Sequence, residues 1–421
     1  MNKKQALNSI SYTVLPITIF SVLPYPSLTT DLITTINITV VWWFLIAIVY
    51  LIYLTSIKVV SDKATSVLML TVKLYLLWNI FNIIRGGFIA ENYWDWKFLI
   101  HNTMGLLLPI LAYIVCNPIV LQTLCSYYLK YLLPLFIIFA FLISKDAYGF
   151  YLVPISFLLL FLPAVTLRWK IFLLIVALVV ITADMGARSN VIKFIVPIIF
   201  SLIYYLRNLL STSFLEWARK LLIIIPILFF CLAVTDIFNI FNMDDYIKGN
   251  YETSVAEGSD WEGGGDLKVD TRTFLYVEVL ESAEKNNYWW IGRSPARGNE
   301  SLWFGKDDET GRGERNSNEV GILNVFTWTG LVGVILYCMV FYKASYLALN
   351  RSNNIYLKTV GLFVAFRWLY AWVEDINIFS LTYAFLWIMI GICFSKSFRA
   401  MTDKEFERWV QGIFDKRLRA I

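Results

Sequence analysis

Arginine and carboxylate side chains stand at the edges of apolar segments, where ionised groups are costly and are therefore the first candidates for a functional site. Arg188 follows Asp184 by four residues, and Arg272 stands in the first turn of a helical pattern, where a cation opposes the helix dipole. Arginine forks match phosphate oxygens and stay charged, so this pattern favours binding of a pyrophosphate group. Glu319 lies with Arg312 and Arg315 just before the tenth apolar run. The further candidates for substrate binding are Arg293, Arg297, Arg315, Asp184, Trp290 and Arg367.

Several of these residues also have a plainer interpretation, which the sequence leaves open. Arg188 forms a simple salt bridge with Asp184 in that interpretation, and Arg272 is a surface residue of an exposed helix. Arg293 and Arg297 are then solvated charges of a short basic turn.

Three other polar residues lie in or beside apolar runs. Arg367 either binds substrate or pairs with Glu374 as a structural bridge within the membrane. Lys193 is expected to snorkel to an interface or to pair structurally. His101 is the one histidine of the chain, so a His-based triad and a His-rich metal site are excluded, and the sequence predicts neither a metal nor another cofactor.

The composition excludes a soluble enzyme. Of the 421 residues, 58% are hydrophobic and 16% are charged, against about 45–50% and 25% in soluble domains. About 20 apolar residues cross a bilayer core as a helix, and continuous rather than alternating runs exclude a barrel. We therefore predict an all-α polytopic membrane protein with about twelve transmembrane helices. The apolar runs are residues 10–23, 33–57, 65–84, 98–120, 131–143, 151–167, 171–181, 191–206, 221–241, 321–341, 357–372 and 378–394.

The positive charges give an independent test of this topology. With the N-terminus in the cytoplasm, the inner segments contain most of the lysine and arginine residues outside the long loop. The short outer loops contain only Arg85, Lys97, Lys145 and Arg188. This asymmetry predicts a multi-pass protein of the bacterial inner membrane with both termini in the cytoplasm.

One polar segment, residues 242–320, interrupts the pattern and faces the periplasm in this topology. Its formal charge is −8, from 17 acidic and 9 basic residues. Residues 251–268 are typical of a flexible flap, whereas residues 270–285 predict a helix capped by Asp270. The apolar face of that helix is predicted to carry Phe274, Val277 and Leu280, with Glu281.

The chain thus divides into four parts. Residues 1–241 form transmembrane helices 1–9, residues 242–320 the large periplasmic loop with short helices, and residues 321–395 transmembrane helices 10–12. Residues 396–421 form a basic amphipathic tail in the cytoplasm, which either lies on the inner leaflet or packs on the protein.

This arrangement resembles the O-antigen polymerase and O-antigen ligase superfamily of bacterial membrane glycan transferases. The resemblance covers the twelve spans, the cytoplasmic termini and the large loop three spans before the end. Four short segments carry it locally. They are Gly-Ala-Arg-Ser-Asn at 186–190, Asp-Thr-Arg at 270–272, Trp-Trp-Ile-Gly-Arg-Ser-Pro at 289–295, and residues 318–324 leading into Thr-Gly-Leu-Val-Gly at 329–333.

The resemblance implies glycosyl transfer from an undecaprenyl-pyrophosphate donor to a sugar hydroxyl at the periplasmic face, without a metal. Arg188 and Arg272 are then the pyrophosphate clamps and Glu319 the base, with Arg293 or Arg315 assisting. The implied partners are the lipid-linked oligosaccharide, membrane lipids, and as candidates a chain-length regulator and a flippase; no nucleic acid is expected.

One departure separates the members of the superfamily. Ligases carry a histidine at the position where this chain has Glu319, which favours a repeat-unit polymerase for O-antigen or capsule. A ligase with the same donor is the alternative, and a polysaccharide flippase or transporter is a further one. Charges at the outer rim and a single large loop are unlike the repeated halves of transporters.

Overall fold

The computed structural model describes residues 2–27, 39–60, 68–184, 187–235, 237–239, 241, 272–301, 312–374 and 377–418. Within them the chain is mostly helical. The first helices are α1 Lys3–Tyr12, α2 Val14–Val22, α3 Thr39–Val60, α4 Leu70–Ile89, α5 Tyr93–Leu107, α6 Leu111–Ile114, α7 Pro118–Tyr127, α8 Leu133–Leu142, α9 Tyr148–Tyr151, α10 Val153–Leu159, α11 Leu167–Ala183, α12 Arg188–Ser201, α13 Ile203–Leu206 and α14 Thr212–Val234. The others are α15 Thr273–Lys285, α16 Gly321–Asn350, α17 Ile355–Tyr370, α18 Leu381–Phe394, α19 Lys396–Ala400 and α20 Asp403–Phe414, with strands β1 Asn299–Glu300 and β2 Glu314–Arg315.

Six helical stretches within the described residues are long and apolar enough to cross a membrane. They are Thr39–Val60, Tyr93–Ile114, Pro118–Leu142, Arg188–Leu206, Thr212–Val234 and Gly321–Asn350. The prediction of a helical, multi-pass membrane protein is therefore confirmed in this coarser form. The count of twelve spans stays a prediction. Residues 251–268 and Asp270 lie outside the described residues.

Short polar caps decide where several helices begin. Asn92 accepts a hydrogen bond from the backbone N–H of Asp95 and starts α5. Asn117 accepts a hydrogen bond from the backbone N–H of Ile119 and starts α7. Pro118 occupies the first turn of α7, where its missing N–H costs no hydrogen bond. The apolar run 98–120 therefore does not form one helix, because the cap and the proline start a new one within it.

The centre of the bundle is α18, in which every residue from Leu381 to Phe394 is buried. Because α18 carries no charged side chain and is mostly apolar on all sides, it can be enclosed by other helices. Its neighbours include α16 and α17, and the Trp387 ring stacks on Tyr75 of α4 at 5.8 Å between centroids.

The tail helix α20 packs on the protein body. Phe406 stacks on Tyr356 of α17 at 5.2 Å between ring centroids. The Trp409 indole N–H donates to the carbonyl of Pro118, and the Gln122 side-chain amide donates to the carbonyl of Trp409. Phe406, Trp409, Val410 and Ile413 are thus covered by protein, which favours packing of the tail on the protein over the lipid-facing interpretation.

A break in α16 joins the transmembrane bundle to the loop segment. Gly330 has φ 67° and ψ −172°, which interrupts the helical backbone. The N–H groups of Leu331 and Val332 instead donate to the carbonyls of Trp289 and Trp290, at 2.8 and 3.2 Å. In the other direction, the N–H of Arg293 donates to the carbonyl of Thr327 at 2.7 Å. The turn of residues 289–293 thus supplies the partners that the broken helix lacks.

This junction requires glycine on both sides. A Cβ atom on Gly292, whose φ is +73°, would lie 2.5 Å from the backbone nitrogen atoms of Thr329 and Gly330. A Cβ atom on Gly330 would collide with the carbonyl of Trp290. Two backbones approach here more closely than any side chain permits.

We predict that Gly330→Ala lowers the stability of the protein by at least about 2 kcal/mol, because both a positive φ and a backbone collision are unfavourable for alanine. The measurement is the thermal midpoint of the detergent-solubilised protein. Gly87→Ala is the matched control, since a Cβ atom there makes only an ordinary 3.8 Å contact with Trp96. Equal midpoints for the two variants would contradict the account of the junction.

Candidate functional site

The loop helix α15 forms where the sequence predicted a helix, but with a different buried face. Leu275, Glu278, Val279, Ser282 and Ala283 are its buried residues. Of the residues predicted for the packed face, Val277 and Glu281 are exposed, whereas Phe274 is partly buried and packs against the core. The reason is that two polar residues of the true face have partners in β1 and next to it, which the helical pattern alone does not show.

These partners connect α15 to the β1–β2 ribbon. The Ser301 hydroxyl donates to the Glu278 carboxylate at 2.9 Å, and the N–H of Glu300 donates to the Ser282 hydroxyl at 3.0 Å. The strands are antiparallel, with Asn299 opposite Arg315 and Glu300 opposite Glu314. Successive residues of a strand point to opposite faces, so Glu314 and Arg315 belong to two different clusters.

The first cluster is built around the buried carboxylate of Glu314, which sequence reasoning missed. It receives Arg297 Nε at 2.9 Å and Arg293 at 3.0 Å, and the Arg293 guanidinium also donates to the carbonyl of Gly298. The Glu314 side chain is only 3% exposed. The hydrogen bond to Glu314 raises the pKa of Arg297. Arg293 and Arg297 are therefore not merely solvated loop charges.

Arg85, at the end of α4, completes this first cluster. Its guanidinium donates to the carbonyls of Ile291 and Gly292, both at 2.8 Å. Together with Arg293 and Arg297 it borders an open depression of about 400 Å³. Three guanidinium groups and one carboxylate leave the depression cationic, which suits a phosphate group. Sequence reasoning had assigned Arg85 only to an outer loop.

The second cluster contains Arg272, Glu319 and Arg315, all predicted from the sequence. Arg272 Nη1 lies 2.6 Å from Glu319 Oε2, with side-chain exposures of 21% and 52%. Arg272 also donates through Nε to the carbonyl of Val373 at 3.2 Å. Burial lowers the pKa of Arg315, and the charge of Arg272 lowers it further, whereas the carboxylates of Glu319 and Glu278 raise it.

Hydrogen bonds between two asparagine residues, Asn318 and Asn324, hold the turn that carries Glu319 in place. The N–H of Asn318 donates to the side-chain oxygen of Asn324 at 2.6 Å, and the Asn324 side-chain amide donates back to the carbonyl of Asn318 at 2.7 Å. The Asn318 amide also donates to Asn299 of β1 at 3.1 Å. The segment 318–324, noted in the sequence for its resemblance, is thus a buried polar turn that places Glu319 beside Arg272.

Within the described residues, the side chains of the other predicted residues form no hydrogen bond or ion pair with the charged groups of either cluster. Arg188 is the first residue of α12 and is exposed, and within the described part of the chain it takes part in no ion pair. Asp184 accepts a hydrogen bond from the N–H of Ala187 at 3.2 Å instead of pairing with Arg188. The side chain of Trp290 is 65% exposed.

Arg367 is buried within α17. Glu374 accepts a hydrogen bond from the Tyr370 hydroxyl at 3.0 Å, and the two described side chains Arg367 and Glu374 do not form the predicted bridge. Glu374 is nevertheless close to the second cluster, since its backbone carbonyl accepts from Gly321, two residues after Glu319.

The chain matches no protein-family model, no curated protein and no solved structure. The chemistry of the site therefore has to be argued from the two clusters themselves.

We predict that Glu314→Gln destabilises the protein by about 3 kcal/mol, because it leaves two partly buried guanidinium groups without a counter-charge. The thermal midpoint in detergent measures the effect. Glu300→Gln is the matched control, because Glu300 lies opposite Glu314 in the ribbon but pairs with Lys285, which is 71% exposed. Because an exposed pair contributes at most about 1 kcal/mol, Glu300→Gln is expected to lower the stability by no more than that. Equal losses for Glu300→Gln and Glu314→Gln would contradict the structural role of Glu314.

Proposed function

We propose that this protein is an oligosaccharide repeat-unit polymerase, a membrane glycosyltransferase for O-antigen or capsule. It transfers glycan from an undecaprenyl-pyrophosphate donor to a sugar hydroxyl at the periplasmic face of the inner membrane. The observation that carries the proposal is the pair between Arg272 and Glu319, next to Arg315 and at the end of membrane-length helices. An anion-binding group and a proton-accepting group are the two parts that this transfer requires.

The exposure of the pair favours a role in chemistry over a role in stability. An ion pair whose carboxylate is about half exposed contributes little to folding. A ligand can, however, replace one member of such an exposed pair. A pyrophosphate group that binds Arg272 replaces Glu319 as its partner, and the carboxylate is then available to accept the proton of the acceptor hydroxyl.

The leaving group is stabilised by arginine alone in this proposal. The bond from the anomeric carbon to the pyrophosphate oxygen breaks, the bond from that carbon to the acceptor oxygen forms, and the acceptor proton passes to Glu319. Arg272 and Arg315 stabilise the charge that develops on the pyrophosphate. Arg85, Arg293 and Arg297 form the second cationic surface, which suits the phosphates of a second lipid-linked chain.

The topology that accompanies this function has twelve spans, cytoplasmic termini and the segment 242–320 in the periplasm. The residues of both clusters then lie on the outer side, where a lipid-linked repeat unit arrives after it has crossed the membrane. The positive charges of the inner segments support this orientation.

The test is polymerisation by purified protein in detergent with a synthetic lipid-pyrophosphate-linked repeat unit of the host glycan and EDTA, followed as a ladder on a gel. We predict that Glu319→Gln slows the reaction by about 100-fold or more, because it removes the proton acceptor. Arg272→Ala is expected to lower the rate by about 100- to 1,000-fold through loss of leaving-group stabilisation. Arg188→Ala tests whether Arg188 binds the pyrophosphate group, the role that the resemblance implies for it.

Lys285→Ala is the control, since it removes an exposed cation from the same loop segment. It is expected to keep the ladder of the wild type. Binding of the donor without a ladder, accompanied by transfer to a lipid A core or by flipping in vesicles, would overturn the polymerase proposal in favour of a ligase or a transporter.

A further inference from the structure

A cavity of about 360 Å³ lies between helices that are distant from one another in the sequence. Its described wall residues come from α2, α3, α5, α9, α12 and α18, and from the segments after α2 and α17. Glu374 lines the cavity, and the carbonyl of the preceding residue, Val373, accepts the hydrogen bond from Arg272. The wall is thus connected to the Arg272–Glu319 pair through two successive residues.

Aromatic rings form much of the wall. The Phe20 ring lies 5.9 Å from Trp42, 5.6 Å from Phe379 and 6.3 Å from His101, measured between ring centroids. All four of these rings line the cavity. The negative face of an aromatic ring attracts C–H groups, which one face of a sugar ring presents. The volume of the cavity is at the lower end of the range for ligand pockets, which suits one or two sugar rings.

Two buried polar atoms of this wall have no hydrogen-bond partner among the described residues. They are the indole nitrogen of Trp42 and the hydroxyl oxygen of Thr382, in residues that are 6% and 7% exposed. A buried polar group without a partner is unfavourable unless a ligand or water satisfies it. The Trp42 indole can only donate, whereas the Thr382 hydroxyl can donate and accept.

Two further hydrogen-bonding groups line the same cavity. Within the described part of the chain, neither the His101 ring nor the Tyr25 hydroxyl forms a hydrogen bond. Burial above all, with smaller contributions from the negative charges of Asp146, Glu374 and Glu319, raises the pKa of Tyr25 to about 12, so its hydroxyl stays protonated. A neutral imidazole has one donor and one acceptor. The wall therefore offers both donors and acceptors, as the hydroxyl groups of a sugar require.

The lysine residues of the wall are engaged by the protein itself. The Lys97 ammonium group lies 4.2 Å from the centre of the Trp94 ring. The Lys193 ammonium group lies 4.2 Å from the centre of the Phe150 ring and donates to the Ser189 hydroxyl at 3.4 Å. Neither cation is thus a free counter-charge for a bound anion, so the hydrogen-bonding capacity of the wall favours a neutral ligand.

We propose that this cavity binds one neutral sugar residue, with a face of its ring against the aromatic wall and its hydroxyl groups paired with Trp42 and Thr382. A lipid chain would leave both of these polar groups unsatisfied, and an anionic group would lack a counter-charge. The assignment of the sugar to the transferred glycan rests on the proposed function, whereas the binding itself does not require catalysis.

The test is binding of methyl glucoside, methyl galactoside and methyl N-acetylglucosaminide to the full-length protein, measured by saturation-transfer NMR. The detergent must carry no sugar headgroup, because such a headgroup would compete for the cavity. Cyclohexanol is the matched ligand control, since it has a six-membered ring and a single hydroxyl group. We predict that at least one glycoside binds about tenfold more tightly than cyclohexanol, because its additional hydroxyl groups pair with the wall.

Two variants remove the unpartnered polar groups and keep the shape of the wall. Trp42→Phe removes the indole N–H but keeps an aromatic ring, and Thr382→Val replaces the hydroxyl by a methyl group. Each is expected to weaken glycoside binding by about three- to tenfold, the size of one hydrogen bond. Both are expected to fold, because a polar group without a partner in the protein contributes no hydrogen bond to folding. Trp217→Phe changes a tryptophan of α14 that is 59% exposed and outside the cavity, and it is expected to bind like the wild type.

Equal binding of cyclohexanol and of all three glycosides would overturn the inference, and so would unchanged glycoside binding in both cavity variants. Tighter binding of sodium glucuronate than of methyl glucoside would also overturn it, by assigning the cavity to an anion. A polymer ladder without glycoside binding leaves the proposed function standing and refutes the cavity. Glycoside binding that depends on Trp42, without a ladder, retains the cavity and refutes the proposed function.

Discussion

The break of α16 at Gly330 is the constraint on which the site depends. An interrupted helix leaves backbone N–H and C=O groups without partners, and such groups cannot remain unpaired in a buried place. Here the turn of residues 289–293 supplies them, and Gly292 and Gly330 allow the two backbones to meet. The same turn carries Arg293, so one backbone junction ties the first arginine cluster to the membrane bundle.

The β1–β2 ribbon, which lies beside this junction, carries charged side chains on both of its faces. Glu314 turns toward Arg293 and Arg297 and is nearly inaccessible, whereas Arg315 belongs to the cluster of Arg272 and Glu319. The two clusters differ in how much their ion pairs contribute to the stability of the fold. The buried one holds the loop in place because removing its carboxylate leaves two charges uncompensated. The more exposed one contributes little to stability and is open to a ligand.

The cavity adds a third part to this arrangement. Its wall residue Glu374 follows Val373, which accepts a hydrogen bond from Arg272, and its lysine residues come from helices distant in sequence. The pair and the arginine depression both lie where the loop segment contacts the membrane bundle.

The sequence by itself determined the helical membrane class and the positions of most helices, because apolar length is a local signal. It also singled out Arg272, Arg315 and Glu319 as isolated charges, which the structure brings together in one cluster. It also placed α15 correctly. Only the tertiary structure decided which face of α15 is buried, that Glu314 pairs with Arg293 and Arg297, that Arg188 stands apart, and that Lys97 and Lys193 share a cavity. These contacts join residues that are far apart in the chain. A strand of two residues and a helix broken at one glycine are too short to leave a periodic pattern, so the sequence does not reveal such contacts.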